Sequence, residues 1–377
     1  MSFRRLKAVA RKEALHILRD SRSLAMALMV PIVMLLLFGY ALTLDVDRIP
    51  TIVYDADHSP QSRELTERFH GSRFFEIGGY VSEYRTIEQK VNSSECLLGV
   101  VIPRDYSRKL LANQEAEVQL LLDGSDSNTA SIALGYAEVL LQTYALEIRS
   151  QAQSRKLGKT FSAPIEPRLR VWYNSELKSK NYIVPGLIAV ILMIIAALLT
   201  SLTIAREWDM GTMEQLLSTP LRPAELVLGK MSAYFVVGVV DMLLAMLVGV
   251  FLFEVPLRGS ILLLLVSSFI FLAGALFWGI MISAIARTQL LAYQMGMVSS
   301  FLPAFLLSGF IYSIDNMPRV IQIITRIVPA RYFITISKGI FLKGVGIQIL
   351  WMELLFLLVY AGVVFLVATK KVGQKLA

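Results

Sequence analysis

The sequence predicts an α-helical integral membrane protein of six transmembrane helices, with an extracytoplasmic α/β domain inserted between the first and second spans. Three observations predict it. The 377 residues are 55% hydrophobic and only 18% charged, with a mean hydropathy of +0.59, whereas soluble domains carry about 25% charged residues. Several charge-poor runs reach the ~20 residues that one bilayer crossing takes. One stretch of ordinary polar composition, residues 45–180, interrupts them. Cys96 is the single cysteine and His16, His58 and His70 are the only histidines. That excludes an internal disulfide and a multi-thiolate metal site, and argues against a His-rich one.

Residues 1–22 predict an amphipathic interfacial helix, with Phe3, Leu6, Ala10, Ala14 and Ile17 in one stripe and Arg5, Lys12 and Arg19 on or near the opposite side. The first span follows over 23–44. Its apolar core is longer than the ~7–15 residues of a cleavable signal, and no small-x-small site follows it. The second span is 181–205. Residues 231–314 hold three more: 231–253 with Asp241 inside it, 259–286, and 288–314, the last two joined at Arg287. The sixth is 344–369, with Glu353 in its first half and a cytoplasmic tail of 370–377. Residues 315–343 are too charged to cross but contain amphipathic apolar runs, with breaks expected at Pro318 and Pro329.

Six spans put both termini on one side. Lys and Arg in 1–22, 206–230, the Arg287 turn and the tail number fourteen, against six in the short loops of the other face. The positive-inside rule therefore makes both termini cytoplasmic and residues 45–180 extracytoplasmic. It also accounts for the net charge of +8, so no nucleic-acid partner is needed.

Within 45–180, strands are expected at 48–54, 74–81, 97–102, 118–122 and 168–173. Helices are expected at 61–70 with Ser59 as cap, at 86–91, from Pro103 through 113, and over 127–156. This alternation predicts a compact α/β module. Asp55, Asp57 and His58 read as an Asx-turn leading into a helix cap rather than as a metal cluster. Asp123-Gly124-Ser125-Asp126 lacks the glutamate of a calcium loop at its twelfth position, which is Leu134.

The segment 206–230 predicts a helix-turn-helix elbow on the inner membrane surface. Thr212 caps its first helix, Pro220 ends it and Pro223 starts the second. Four acids (Glu207, Asp209, Glu214, Glu225) against three bases are unusual in a cytoplasmic loop. A docking partner with a basic or polar cleft explains them; a solvated connector explains them equally.

The run REWDMGTMEQLLSTPLRPAEL resembles the cytoplasmic signature of ABC-2 type exporter permeases, E-x-x-x-G-T-x-E-x-L-L-x-x-P, on Glu207, Gly211, Thr212, Glu214, Leu216, Leu217 and Pro220. RKEALHILRDSRSLAMALMVPIVMLLLFGYAL, YDADHSPQSREL and LLSGFIYSIDNMPRVIQIITRIVPARYFI are similar to the family's first helix and span, the start of its outer domain and its last outer loop. The resemblance covers essentially the whole chain and is nearest the YbhS/YbhR-like subfamily. It implies a bacterial inner-membrane permease that works as a homodimer or a heterodimer with a sister permease. It further implies drug efflux and a separate ABC ATPase subunit that carries ATP and Mg and drives the elbow, and leaves open whether a periplasmic adaptor is a further partner. It also implies re-entrant outer helices over 315–343.

This chain has no G-x-x-x-x-G-K-[ST] loop; Gly229-Lys230 is followed by Met231. No cofactor is expected on it, and lipid is its other partner. Asp241, Tyr293 and Gln294 are candidates for a transport path, but Tyr40, Thr200, Thr203 and Ser308 have the same polar character, which helix packing also explains. For Asp241 a structural role, hydrogen-bonded to a Ser or Tyr of a neighbouring helix, is the simpler expectation. Two other functions stay open: an ion-coupled secondary transporter using Asp241, and an outer-domain receptor that transports nothing.

Overall fold

The structure is a computed structural model that describes residues 2–42, 48–112, 114–157, 172–174, 178–286 and 288–376. The chain divides into two compact units, Met1–Thr43 with Arg170–Ala377, and Leu44–Leu169.

The first unit begins with α1 (Phe3–Arg19) and α2 (Ser21–Ala41). α1 forms over the residues expected for the amphipathic helix. Val9 and Glu13 are its buried residues, while Phe3 is 78% exposed. Arg5 and Lys12 turn toward protein carboxylates.

The inserted unit runs β1 (Ile49–Asp55), α3 (Pro60–His70), β2 (Phe75–Tyr80), α4 (Tyr84–Asn92), β3 (Leu98–Ile102), α5 (Tyr106–Leu111), β4 (Gln119–Leu122) and α6 (Ser127–Leu157). Its sheet has the order β2-β1-β3-β4, parallel except for β4. The apolar run at 97–102 becomes the fully buried strand β3, covered by Phe69, Tyr106 and Ala137 from the helices. Asp55 accepts from the backbone N–H groups of Asp57 and His58 and from the Ser62 hydroxyl, and Ser59 caps α3. That is the Asx-turn and cap expected. α5 starts at Tyr106 rather than at Pro103, because Arg104 and Asp105 form a turn. Of the strand expected at 168–173, residues 168–171 lie outside the described residues, and Trp172 and Tyr173 are not in a strand.

The first unit resumes with α7 (Ser179–Asp209), α8 (Met213–Leu217), α9 (Pro223–Leu247, continued as a π-helical turn Val248–Leu252), α10 (Ile261–Ile285), α11 (Gln289–Leu306), α12 (Arg319–Thr325), α13 (Pro329–Lys338, with a π-helical turn Gly339–Lys343) and α14 (Ile347–Leu376). α7 is the central helix, buried from Ile183 to Ala197 without interruption. Such all-round burial suits a helix apolar on every side. α10 packs on it through Gly279, where any Cβ would overlap Thr200 Oγ1 and the Ala197 carbonyl.

Among the described residues, five helices are long and apolar enough to cross a membrane; the bent pair Arg319–Thr325 and Pro329–Lys343, at 83°, makes up to six if it is one span. α11, expected as the fifth span to Ile314, is not among the five. It ends at Leu306, the chain bends through Gly309 (φ +79°), and Gln289, Gln294, Ser299 and Ser300 dilute its apolarity. The breaks expected at Pro318 and Pro329 fall at the starts of α12 and α13. Two expected boundaries are not breaks. α7 continues past Ala205 to Asp209 through good helix formers, and α14 continues through the expected tail, Gly373 included.

Candidate functional site

The signature segment forms a tight reversal. Gly211 adopts φ +70°, the left-handed conformation that costs a glycine little, and ends α7. α8 is a short helix pinned by Met213, which is buried with Leu226, Val227, Val9 and Val372, while Leu216 packs partly against them. The side chain of Leu217 lies outside the described residues. Thr212 precedes α8 but makes no side-chain cap to it. Its hydroxyl donates to the Glu207 carboxylate instead, so the expected capping role is corrected. Pro220 offers its carbonyl to the Arg5 guanidinium. Glu214 and Gln215 are exposed.

Behind the reversal lies an ion network that the sequence did not announce. Lys230, 1% exposed, donates its three ammonium protons to Glu13 Oε1 at 2.6 Å, Glu207 Oε1 at 3.2 Å and the Thr203 carbonyl at 3.3 Å. Lys12 Nζ lies 2.6 Å from the same Glu207 oxygen. Two bases and two acids thus balance in a place where an unpaired charge would be costly. Gly229, next to Lys230, lets α1 come close: a Cβ there would be 2.7 Å from the Val9 Cβ. At the start of α9, Glu225 accepts from the Ser2 N–H at 2.6 Å and the Arg222 N–H at 3.1 Å, and pairs with Arg5 at 3.6 Å. Glu207, read from sequence as an acid presented to the cytoplasm, and Glu225, counted among the acids of the same loop, are therefore buried ties between α1, α7 and α9. Glu214 keeps the exposed position expected for it. The signals that were present are Glu13 within a strongly basic segment and a lone Lys230 between apolar Leu228 and Met231.

A cavity of about 450 Å³ adjoins this network. Lys12, Glu13, His16, Asp20, Arg206 and Glu207 line its polar end; Leu24, Ala27, Val30, Ile195, Leu198, Leu199 and Leu202 line the remainder, with Tyr234, Val237 and Tyr293. Of the three transport-path candidates, Tyr293 lines this cavity, Gln294 is exposed, and Asp241 is buried in α9. Among the described residues neither Asp241 oxygen has a hydrogen-bond partner, so the Ser or Tyr contact expected for it is absent. One oxygen of Glu353 is likewise buried without a partner. Thr200 donates to the carbonyls of Ala196 and Leu276, Thr203 to Thr200, and Ser308 to Ala304, which are packing roles. Tyr40 is exposed and lies against the Phe253 ring at 5.0 Å.

The family model described as "ABC-2 family transporter protein" matches residues 22–370. The chain is 38% identical over 363 residues to "Probable multidrug ABC transporter permease YbhS" of Escherichia coli, covering 96% of this chain and 94% of that protein. It is 34% identical over 357 residues to "Probable multidrug ABC transporter permease YbhR" of the same organism, covering 95% of each. It is 23% identical over 370 residues to "ABC transporter G family member 20" of Dictyostelium discoideum, 96% of this chain and 49% of that one. The signature around Glu207, the long apolar helices and these matches converge: the chain is a multi-pass membrane protein that belongs to the ABC-2 family of transporter proteins.

Proposed function

We propose that the chain is the permease subunit of an ATP-driven ABC-2 type exporter in a bacterial inner membrane, with six spans, both termini cytoplasmic and residues 45–180 extracytoplasmic. It works as a dimer with itself or a sister permease, and a separate ATPase holding ATP and Mg docks on the elbow. Its cargo is a drug or another amphipathic compound. The observation that carries this reading is the network at Lys230. It ties α1, α7 and α9 together behind α8, whose Glu214 and Gln215 are exposed, so that force applied to α8 moves three helices as one body. Alternating access by rigid-body rocking requires such a body. The chain itself supplies no phosphate-binding loop, so the work comes from the partner.

The test is purification of the complex from membranes and its reconstitution in vesicles. Vesicles with chain and ATPase move cargo uphill only with nucleotide; vesicles with the chain alone are inert. Uphill movement by the chain alone would overturn the reading.

The unpartnered Asp241 favours a second reading, an ion-coupled secondary transporter. Transport that survives without nucleotide but stops when the ion gradient is collapsed selects it.

A further inference from the structure

The cavity between α1, α2, α7 and α9 is polar at one end and apolar along the rest. Its polar end is charge-balanced. Glu13, Asp20 and Glu207 stand against Lys12 and Arg206, which line it, and against Lys230, which Glu13 and Glu207 share behind it. His16 adds no charge: its Nε2 meets the Arg206 guanidinium, which has only donors, so the imidazole accepts and is neutral. Such an end selects neither a net cation nor a net anion, and it offers both signs to a ligand that carries both.

Beyond the charges the wall runs through Leu202, Leu199, Leu198 and Ile195 of α7. Ile195 is about 17 Å along the helix from Arg206, close to the ~15 Å of one leaflet of the hydrocarbon core. The volume is about 450 Å³. Spread over about 17 Å, it gives a mean cross-section of about 27 Å², whereas a helix of roughly 10–12 Å diameter takes about 80–110 Å². The slot is too narrow for a helix of a second copy and takes an extended hydrocarbon chain. Met26 and Val30 of α2 belong to its lining and are 59% and 41% exposed. It therefore opens sideways along α2, where a chain from the bilayer enters.

We propose that this slot binds one glycerophospholipid with a zwitterionic headgroup of the phosphatidylethanolamine type. One acyl chain lies along α7 while the other stays in the bilayer. The headgroup sits at the polar end, its phosphate toward Arg206 and its ammonium toward Asp20, the two charged residues that line the slot beside the Lys230 network. The lipid thereby fills the space between α1 and the helices to which Glu13 and Lys12 tie it. Its binding needs neither nucleotide nor partner. That it comes from the cytoplasmic leaflet rests on the orientation proposed above.

The experiment is native mass spectrometry of the purified, delipidated full-length chain without ATP, titrated with dioleoyl-phosphatidylethanolamine and dioleoyl-phosphatidylglycerol. One phosphatidylethanolamine binds per chain, ahead of phosphatidylglycerol. Asp20→Asn leaves the polar end with a net positive charge and reverses that order. The ratio of the two affinities changes by roughly tenfold, as the loss of a hydrogen bond to a charged group does. Leu199→Trp fills the slot and abolishes the tight site; where that variant does not fold, the reversal in Asp20→Asn decides alone. Absence of a saturable phospholipid, an unchanged preference in Asp20→Asn, or a Leu199→Trp that dissociates a dimer while keeping its lipid overturns the proposal. The last outcome makes the slot an interface between copies of the chain. Any of these in a complex that still exports with ATP leaves the exporter reading standing.

Discussion

Lys230 Nζ lies 2.6 Å from Glu13 Oε1, across 217 residues of sequence. The contact joins the start of the chain to the start of α9, and it is buried on both sides, with side-chain exposures of 2% and 5%. Removing the lysine leaves Glu13 without its ion-pair partner, so Lys230→Met lowers stability by about 3–5 kcal/mol. Adding Glu13→Gln to Lys230→Met recovers part of the loss, because the two changes share one interaction. Thermal unfolding of the purified protein in detergent reads both; additive losses would sink the coupling.

Glu214 makes the opposite prediction. It is exposed on α8, so Glu214→Lys leaves membrane insertion and thermal stability within about 0.5 kcal/mol of the parent. The same change abolishes association with the ATPase or stimulation of its turnover. Unaltered coupled transport in this variant removes α8 from the docking surface.

Gly279 sets the approach of α10 to α7. Gly279→Ala drives a methyl group into Thr200 Oγ1 and the Ala197 backbone, and backbone cannot step aside as a side chain does. Destabilisation of about 1–3 kcal/mol is expected. Gly362→Ala, inside α14 where a Cβ meets nothing within 4 Å, serves as the clash-free control in the same thermal scan and is expected to stabilise by up to about 1 kcal/mol.

Topology is accessible through the single native cysteine. Cys96 is 2% exposed, and burial, the largest influence on it, pushes its thiol up from the ordinary value, so it stays unreactive in the folded protein. A membrane-impermeant maleimide applied to intact cells lacking the outer-membrane barrier labels Glu115→Cys. It labels Glu214→Cys only after permeabilisation. The reverse pattern inverts the proposed orientation.

The sequence announced elements that depend on neighbours in the chain. The Asp55 turn, the Ser59 cap, the buried β3 and the start of α9 at Pro223 all follow from local residue types. Contacts that close over long separations gave no comparable signal. Arg5 and Lys12 read as headgroup-facing bases, yet they meet Pro220, Glu225 and Glu207 from the far end of the unit. Thr212 occupies a cap position, but a carboxylate one helical turn back, Glu207, competes for its hydroxyl and wins. Charge bounded the expected spans but does not end every helix: α10 stops at Ile285, just before Arg287, whereas two others run on. Arg206, Glu207, Lys370 and Lys371 are good helix formers, and α7 and α14 run through them. The pairing expected for Asp241 failed for a different reason, since nothing in a single sequence tells which neighbour a buried side chain meets.

α7 is a strut about 46 Å long with no break after Pro185. A strut of that kind does not bend under load; it carries displacement from one end to the other and leaves the yielding to softer joints. The π-helical turns Val248–Leu252 and Gly339–Lys343, where backbone pairing is loosest, are the places where such compliance can reside.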